Sequence, residues 1–323
     1  MTKHVPAVAS LPLDQVRWTT LKGKTHKVRK ACFAKTWQSG GSLCSFIGSL
    51  PEILAGKDFK EVVRRIVTAK KSGKMVLLGM GAHPVKVGLN PVLIDWMEKG
   101  ILKGVAMNGA GAIHDLELAM AGHTSEEVET ELSRGTFGMV KETHQMVNLA
   151  IREGDGEGLG VGQALGRKIF EEDLRFKDLS LLSAGWRLGI PVTVHVAIGT
   201  DITHMGPFAD GAAIGRGSLR DFHTFAAIVS GLEKGVYINL GSAVILPEVF
   251  LKALALAKNL GHSVTDITTV NMDFISHYRP SVNVVKRPTM KGGKGYTLIG
   301  HHEIMFPLLA AAVLEMLELS SHP

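Results

Sequence analysis

The chain has 323 residues, of which 45% are hydrophobic and 20% charged, enough to bury a full core in one large domain. Only two cysteines occur, Cys32 and Cys44, which excludes a disulfide framework or a thiolate zinc site. The net charge of +6 gathers before Lys35, where Lys3, Arg17, Lys22, Lys24, Lys27, Arg29 and Lys30 face Asp14 alone. No recognised nucleic-acid motif follows that arm, so no nucleic-acid partner is expected.

The arm opens a basic, then Gly/Ser-rich extension over residues 1–50, and residues 51–323 read as one α/β domain. Ile53, Leu54, Phe59, Val62, Val63 and Ile66 mark a helix over 53–71. Met75–Gly79 reads as a buried strand, followed by a Gly-rich turn to Pro84 and a helix over 90–99. The pattern repeats with strand Gly104–Asn108, turn Gly109–Ala112 and helix Ile113–Ala121. Helices are expected over 136–153, 157–170 and 174–187, then a strand over 190–198 and a long loop to Gly217. Helix 219–231, strand Val236–Leu240, helix 247–259 and strand Val264–Val270 follow. A loop-rich stretch then leads to a closing helix, His302–Leu319. Short apolar strands alternating with helices predict a mostly parallel, nucleotide-binding type of sheet with helices on both faces. Its functional loops belong at the carboxyl ends of the strands.

Several polar groups fall at those ends. Asn108-Gly-Ala-Gly111 lets a ligand approach the backbone at a helix N-terminus. His114 and Asp115 could hold ribose hydroxyls, although Asp115 equally suits a helix-capping acid. Lys86 stands where it could neutralise a phosphate. His195, Asp201, His204 and Asp210 are metal-ligand types at spacings that match no named zinc motif. Glu248 sits in the first turn of its helix. Asp273 opens a polar loop that continues through His277 and Arg279 to Lys286 and Arg287, a pair that loosely suits an activated lysine. His301, His302 and Glu303 either cap the last helix or floor a pocket.

Taken in order, Gly88-Leu89, Asn108-Gly-Ala-Gly-Ala-Ile-His-Asp-Leu116, Ile190-Pro-Val, Gly199-Thr-Asp201, Val236–Gly241, Arg279-Pro280 and Phe306-Pro-Leu-Leu309 resemble the deoxyhypusine synthase family over residues 70–317. The resemblance implies a Rossmann-like sheet, bound NAD, and oxidation of an amine such as spermidine to an imine, with alkyl transfer to a protein lysine. It implies a homotetramer, with cofactor contacts at Ala82–Lys86, His114-Asp115 and the loop around Asp273. The family's acidic pair before Asp-Leu is Ile113-His114 here, its polyamine-binding histidine is replaced by Pro247-Glu248, and His301 stands for a cofactor-contacting acid. No Trp-Gly-Lys motif follows Arg279-Pro280, so Lys286 takes the lysine's role after a two-residue shift. These departures predict a changed amine substrate.

Two alternatives stand beside that reading. One is a metal-assisted hydrolase or lyase built on His195, Asp201 and His204; the other is a non-catalytic dinucleotide-binding protein. Ile304 to Leu314, the longest apolar run, is interrupted by Pro307 and too short to span a bilayer. His4, Pro6, Pro12 and Asp14 break any signal-like core. A cytoplasmic chain without a membrane partner is the expectation.

Overall fold

A computed structural model describes residues 8–319; Lys3 of the basic arm lies outside the described residues. Residues 8–42 form three single 3₁₀ turns and are almost entirely exposed. α1 (Leu43–Ser49) buries Ile47, and its Cys44 amide donates to Glu315 at 3.1 Å. The sheet unit then begins with α2 (Leu54–Lys71), β1 (Val76–Met80), α3 (His83–Lys86), α4 (Asn90–Glu98) and β2 (Gly104–Asn108). Next come α5 (Gly109–Ala121), α6 (Val128–Arg134), α7 (Lys141–Gly156), α8 (Val161–Glu171), α9 (Leu181–Leu188) and β3 (Val192–His195). The chain closes with α10 (Gly211–Ser230), β4 (Val236–Leu240), α11 (Ile245–Asn259), β5 (Thr268–Asp273), a π-helical turn (Pro280–Lys286), β6 (Lys294–Ile299) and α12 (His302–Leu319).

The six strands pair in parallel in the order β3-β2-β1-β4-β5-β6, the Rossmann-like order. Alternation along the strands separates two cores. Val76, Leu78 and Met80 face the layer containing α2, α4, α5, α8, α9 and α12, whereas Leu77 and Tyr237 face α10 and α11. Asn108 is level with His195, Met80 with Met107 and Leu240, and Asp273 with Ile299. The carboxyl ends therefore form one continuous rim. Among the described residues no helix is long and apolar enough to cross a membrane.

Several local expectations change. The anticipated Gly109–Ala112 turn is the first turn of α5, because the Asn108 side chain caps it by accepting from the Gly111 amide at 3.0 Å. α10 starts at Gly211, within the anticipated loop, because Asp210 accepts from the amides of Ala212 and Ala213 at 2.9 and 3.1 Å. The run 190–198 keeps only four residues of strand, and the strand expected at 264–270 is displaced to 268–273. β6 escaped the sequence pattern: it is an edge strand, half exposed, beginning Lys294-Gly295.

Asp221 ties α10 to two other elements, accepting from the amides of Gly162 on α8 and Val194 on β3, each at 2.8 Å. Burial pushes its carboxyl up to about 7, against the lowering effect of those amides. A carboxyl whose pKa is higher folded than unfolded binds its proton more tightly in the fold. Its contribution is complete below the unfolded value of 3.8 and is lost as pH climbs through about 7. Asp221→Asn is expected to lower stability overall but to flatten its decline between those limits. Denaturant titrations across that pH range check both effects.

Candidate active site

The rim carries two loci. The first is a cavity of about 580 Å³ between α3, α5, α6, the start of α7 and the loop after β3. Ile113, Met120, Val128, Phe137, Val140 and Ile202 supply apolar wall. Four carboxylates, Glu117, Glu126, Glu142 and Asp201, line it against Lys86, His114 and His123. The balance of formal charge inside is thus negative, which favours a cation with an aliphatic body.

Each carboxylate is positioned differently. Glu117 lies one turn beyond His114 on the same face of α5. It accepts from Thr124 Oγ1 at 2.5 Å and from Thr143 Oγ1 at 3.2 Å, and stands 3.6 Å from His114 Nδ1. Burial raises its pKa, yet the His114 ring close by and hydrogen bonds from the two threonines leave it below the usual range. Glu126 accepts from the Gly138 amide at 2.8 Å, holding the loop before α7. Asp201 packs against the first residue of α5, so closely that a Cβ on Gly109 would stand 1.8 Å from its Oδ2. Burial raises the pKa of Asp201, while His204 and the Thr200 hydroxyl favour its charge.

The second locus lies across the β1/β4 switch point, where Gly81 and Gly241 meet backbone to backbone. His302 is 1% exposed, with both ring nitrogens lacking a hydrogen-bond partner among the described residues. Its Nε2 is 3.6 Å from Asp273 Oδ1, and His277 Nε2 is 3.9 Å from Asp273 Oδ2. The His83 and Phe274 rings lie 5.2 and 5.8 Å from that of His302. Burial lowers the His302 pKa, with Asp273 opposing. A buried imidazole beside glycine backbone fits a polar, ring-bearing ligand such as a dinucleotide.

The residues anticipated from sequence divide between these loci and elsewhere. Lys86, His114 and Asp201 meet at the cavity, and Ala82 and Asp273 belong to the switch-point side. Asn108 and Gly111 form the cap beneath α5. Asp115 corrects the ribose expectation: it is fully buried and accepts from Asn90 Nδ2, Ser180 Oγ and the amides of Leu181 and Leu182 at 2.5–3.1 Å. Burial raises its pKa to about 6. Glu248 is engaged by Lys252, Asn283 Nδ2 (2.7 Å) and Arg279 (3.6 Å), tying α11 to the π-helical turn. Lys286 is exposed, and its neighbour Val285 touches Gly295 near the amino end of β6, so it is not at the rim. His301 points outward with 72% of its side chain exposed; His302 is the buried member of the pair.

The metal alternative is also corrected by geometry. His195 bonds Thr193 Oγ1 at 3.0 Å and packs its ring 5.5 Å from Phe225, on the α10–α11 face of the sheet. Asp201 and His204 line a small crevice on the opposite face with Ala112 and Val194. Burial lowers His195 to about 4, and Asp210 is a helix cap. Among the described residues no group of three or more His, Cys, Asp or Glu could hold a metal. Sequence reasoning overlooked Glu117, Thr124 and Glu126. The spacing of His114 and Glu117 on one helix was the available signal; Thr124 joins them only through the fold.

Gly109→Ala is expected to drive Asp201 from the end of α5 and to cost roughly 1–3 kcal/mol through overpacking. A melting curve beside that of Gly215→Ala, where a Cβ meets open space, measures the difference.

No family model and no curated protein sequence matches this chain. Solved structures do resemble it in fold. The ternary complex of AgrE with ornithine and NAD+ aligns at TM-score 0.53 and 14% identity, over 80% of this chain and 33% of AgrE. A candidate LOR/SDH protein from Methanococcus maripaludis S2 aligns at TM-score 0.53 and 17% identity, over 90% of this chain and 75% of that one. A candidate deoxyhypusine synthase from Entamoeba histolytica aligns at TM-score 0.51 and 11% identity, over 87% and 96%. This chain thus spans about a third of the length of AgrE. At these identities the likeness is one of fold.

Proposed function

We propose that this protein is an NAD-dependent enzyme acting on an aliphatic amine, with deoxyhypusine synthase-like oxidation to an imine and alkyl transfer as its chemistry. The observation that carries the reading is the acid-lined, apolar-walled cavity on the rim of a Rossmann-like sheet. Neighbours in fold include AgrE, solved with ornithine and NAD+, and the candidate deoxyhypusine synthase, which supports the same class of ligand.

In this reading Gly81, Gly241, Asp273 and His302 would hold the dinucleotide, which when bound would supply a hydride acceptor. Glu117, Glu126, Glu142 and Asp201 attract an ammonium group, while Ile113, Met120 and Phe137 cover its methylenes and exclude water. Oxidation of R–CH2–NH3+ to R–CH=NH2+, which is open to an acceptor amine, would need that hydride acceptor and a base for one ammonium proton. Lys86 is the lysine that lines this cavity, a place Lys286 does not reach. A homotetramer completes the reading, with another copy of the chain covering Trp18, 89% exposed, and Leu11, 82% exposed.

Incubation with NAD and a panel of α,ω-diamines, spermidine and ornithine is expected to give NADH with at least one amine. Glu117→Gln with Asp201→Asn should raise KM for that amine at least tenfold while leaving NAD affinity unchanged. Calorimetry showing neither NAD nor any amine bound would overturn the reading.

A further inference from the structure

A base is needed to take the proton that leaves the amine nitrogen, and the cavity contains a histidine whose tautomer is dictated by its neighbours. Thr124 Oγ1 lies 2.6 Å from His114 Nδ1 and 2.5 Å from Glu117 Oε2. Glu117 also accepts from Thr143 Oγ1 at 3.2 Å, and its depressed pKa keeps it a carboxylate that can only accept. The single Thr124 proton is therefore donated to Glu117. The Thr124 oxygen then has lone pairs for His114, so Nδ1 must carry the hydrogen. In the neutral ring this leaves the lone pair on Nε2, which makes no hydrogen bond among the described residues.

From this arrangement we infer that His114 is the catalytic base of the cavity, accepting the amine proton at Nε2, with Thr124 and Glu117 as positioning residues. The inference rests on the amine-oxidising reading above and names the group that completes it. Other groups of the cavity are less suited. Glu117 already accepts two hydroxyl protons, and Asp201 is packed against Gly109 with Thr200 on its Oδ1 at 3.1 Å. The charges facing the ring come from every wall: Lys86 of α3, Glu117 of α5, His123 and Glu126 between α5 and α6, Glu142 of α7 and Asp201 after β3. When the ring takes up a proton, the carboxylates among them stabilise the imidazolium, and Glu117 does so through the shared threonine.

The experiment has two parts, both on the full chain. Nitrogen-15 NMR of the histidine rings, with His114→Gln to assign the signal, is expected to show the Nδ1–H tautomer at neutral pH; an Nε2–H tautomer overturns the inference without any substrate. Kinetics with NAD and the amine that gives NADH form the second part. His114→Ala and His114→Gln should lose about 10²–10⁴-fold in kcat with little change in KM. Added imidazole should restore turnover to His114→Ala, and Thr124→Val should show a smaller kcat loss. Turnover unchanged in both His114 variants, or an unrescued loss in a folded His114→Ala, overturns the base assignment alone. Absence of turnover by the unaltered protein with every amine overturns it together with the reading on which it rests.

Discussion

The buried Asp115 carboxylate sets the rotation of α5, and the geometry of the cavity depends on that rotation. Its two oxygens gather donors from α4, the residue before α9 and the first turn of α9. Because successive helical residues turn by about 100°, fixing Asp115 inward leaves His114 and Glu117 together on the neighbouring face. The energetic cost of burying this carboxyl is visible in its raised pKa. Four donors offset much of that cost by replacing the water the carboxylate loses on burial.

The rim is electrostatically divided. On the β1–β2–β3 side, carboxylates outnumber cations around a cavity with apolar walls. Across the switch point, histidine and phenylalanine rings crowd around one buried aspartate and close-packed glycine backbone. A cation and a ring-bearing anion would each find one half more hospitable than the other. The parallel register places both halves at the same height, on one continuous edge of the sheet.

Much of the scaffold was legible because buried parallel strands are short, continuous apolar runs: 76–80, 104–108 and 236–240 declare themselves this way. β6 did not, since an edge strand needs no such run, and its Lys294 and Gly295 resemble a loop. Glycine also misled at the helix starts, where the caps Asn108 and Asp210 outweighed Gly109, Gly111 and Gly211. Within the candidate site, Lys86, His114 and Asp201 could be found because they closely follow strand ends. Glu126 and Thr124 could not, as they enter through a loop whose path depends on tertiary contacts. His195 was deceptive for a simpler reason: strand alternation turns it to the far side of the sheet from Asp201.

The contact between Gly81 and Gly241 has an evolutionary consequence. A Cβ on Gly81 would sit 2.3 Å from the Gly241 carbonyl oxygen, and one on Gly241 would sit 2.7 Å from the His302 ring. The floor at the switch point is consequently made of peptide groups, with no room for side-chain variation. Discrimination among ligands must be written into the surrounding walls, on α5, α6 and α7, which can diversify without disturbing the sheet. A floor fixed by peptide contacts beside walls free to vary would let the rim change its lining while the sheet beneath it stays the same.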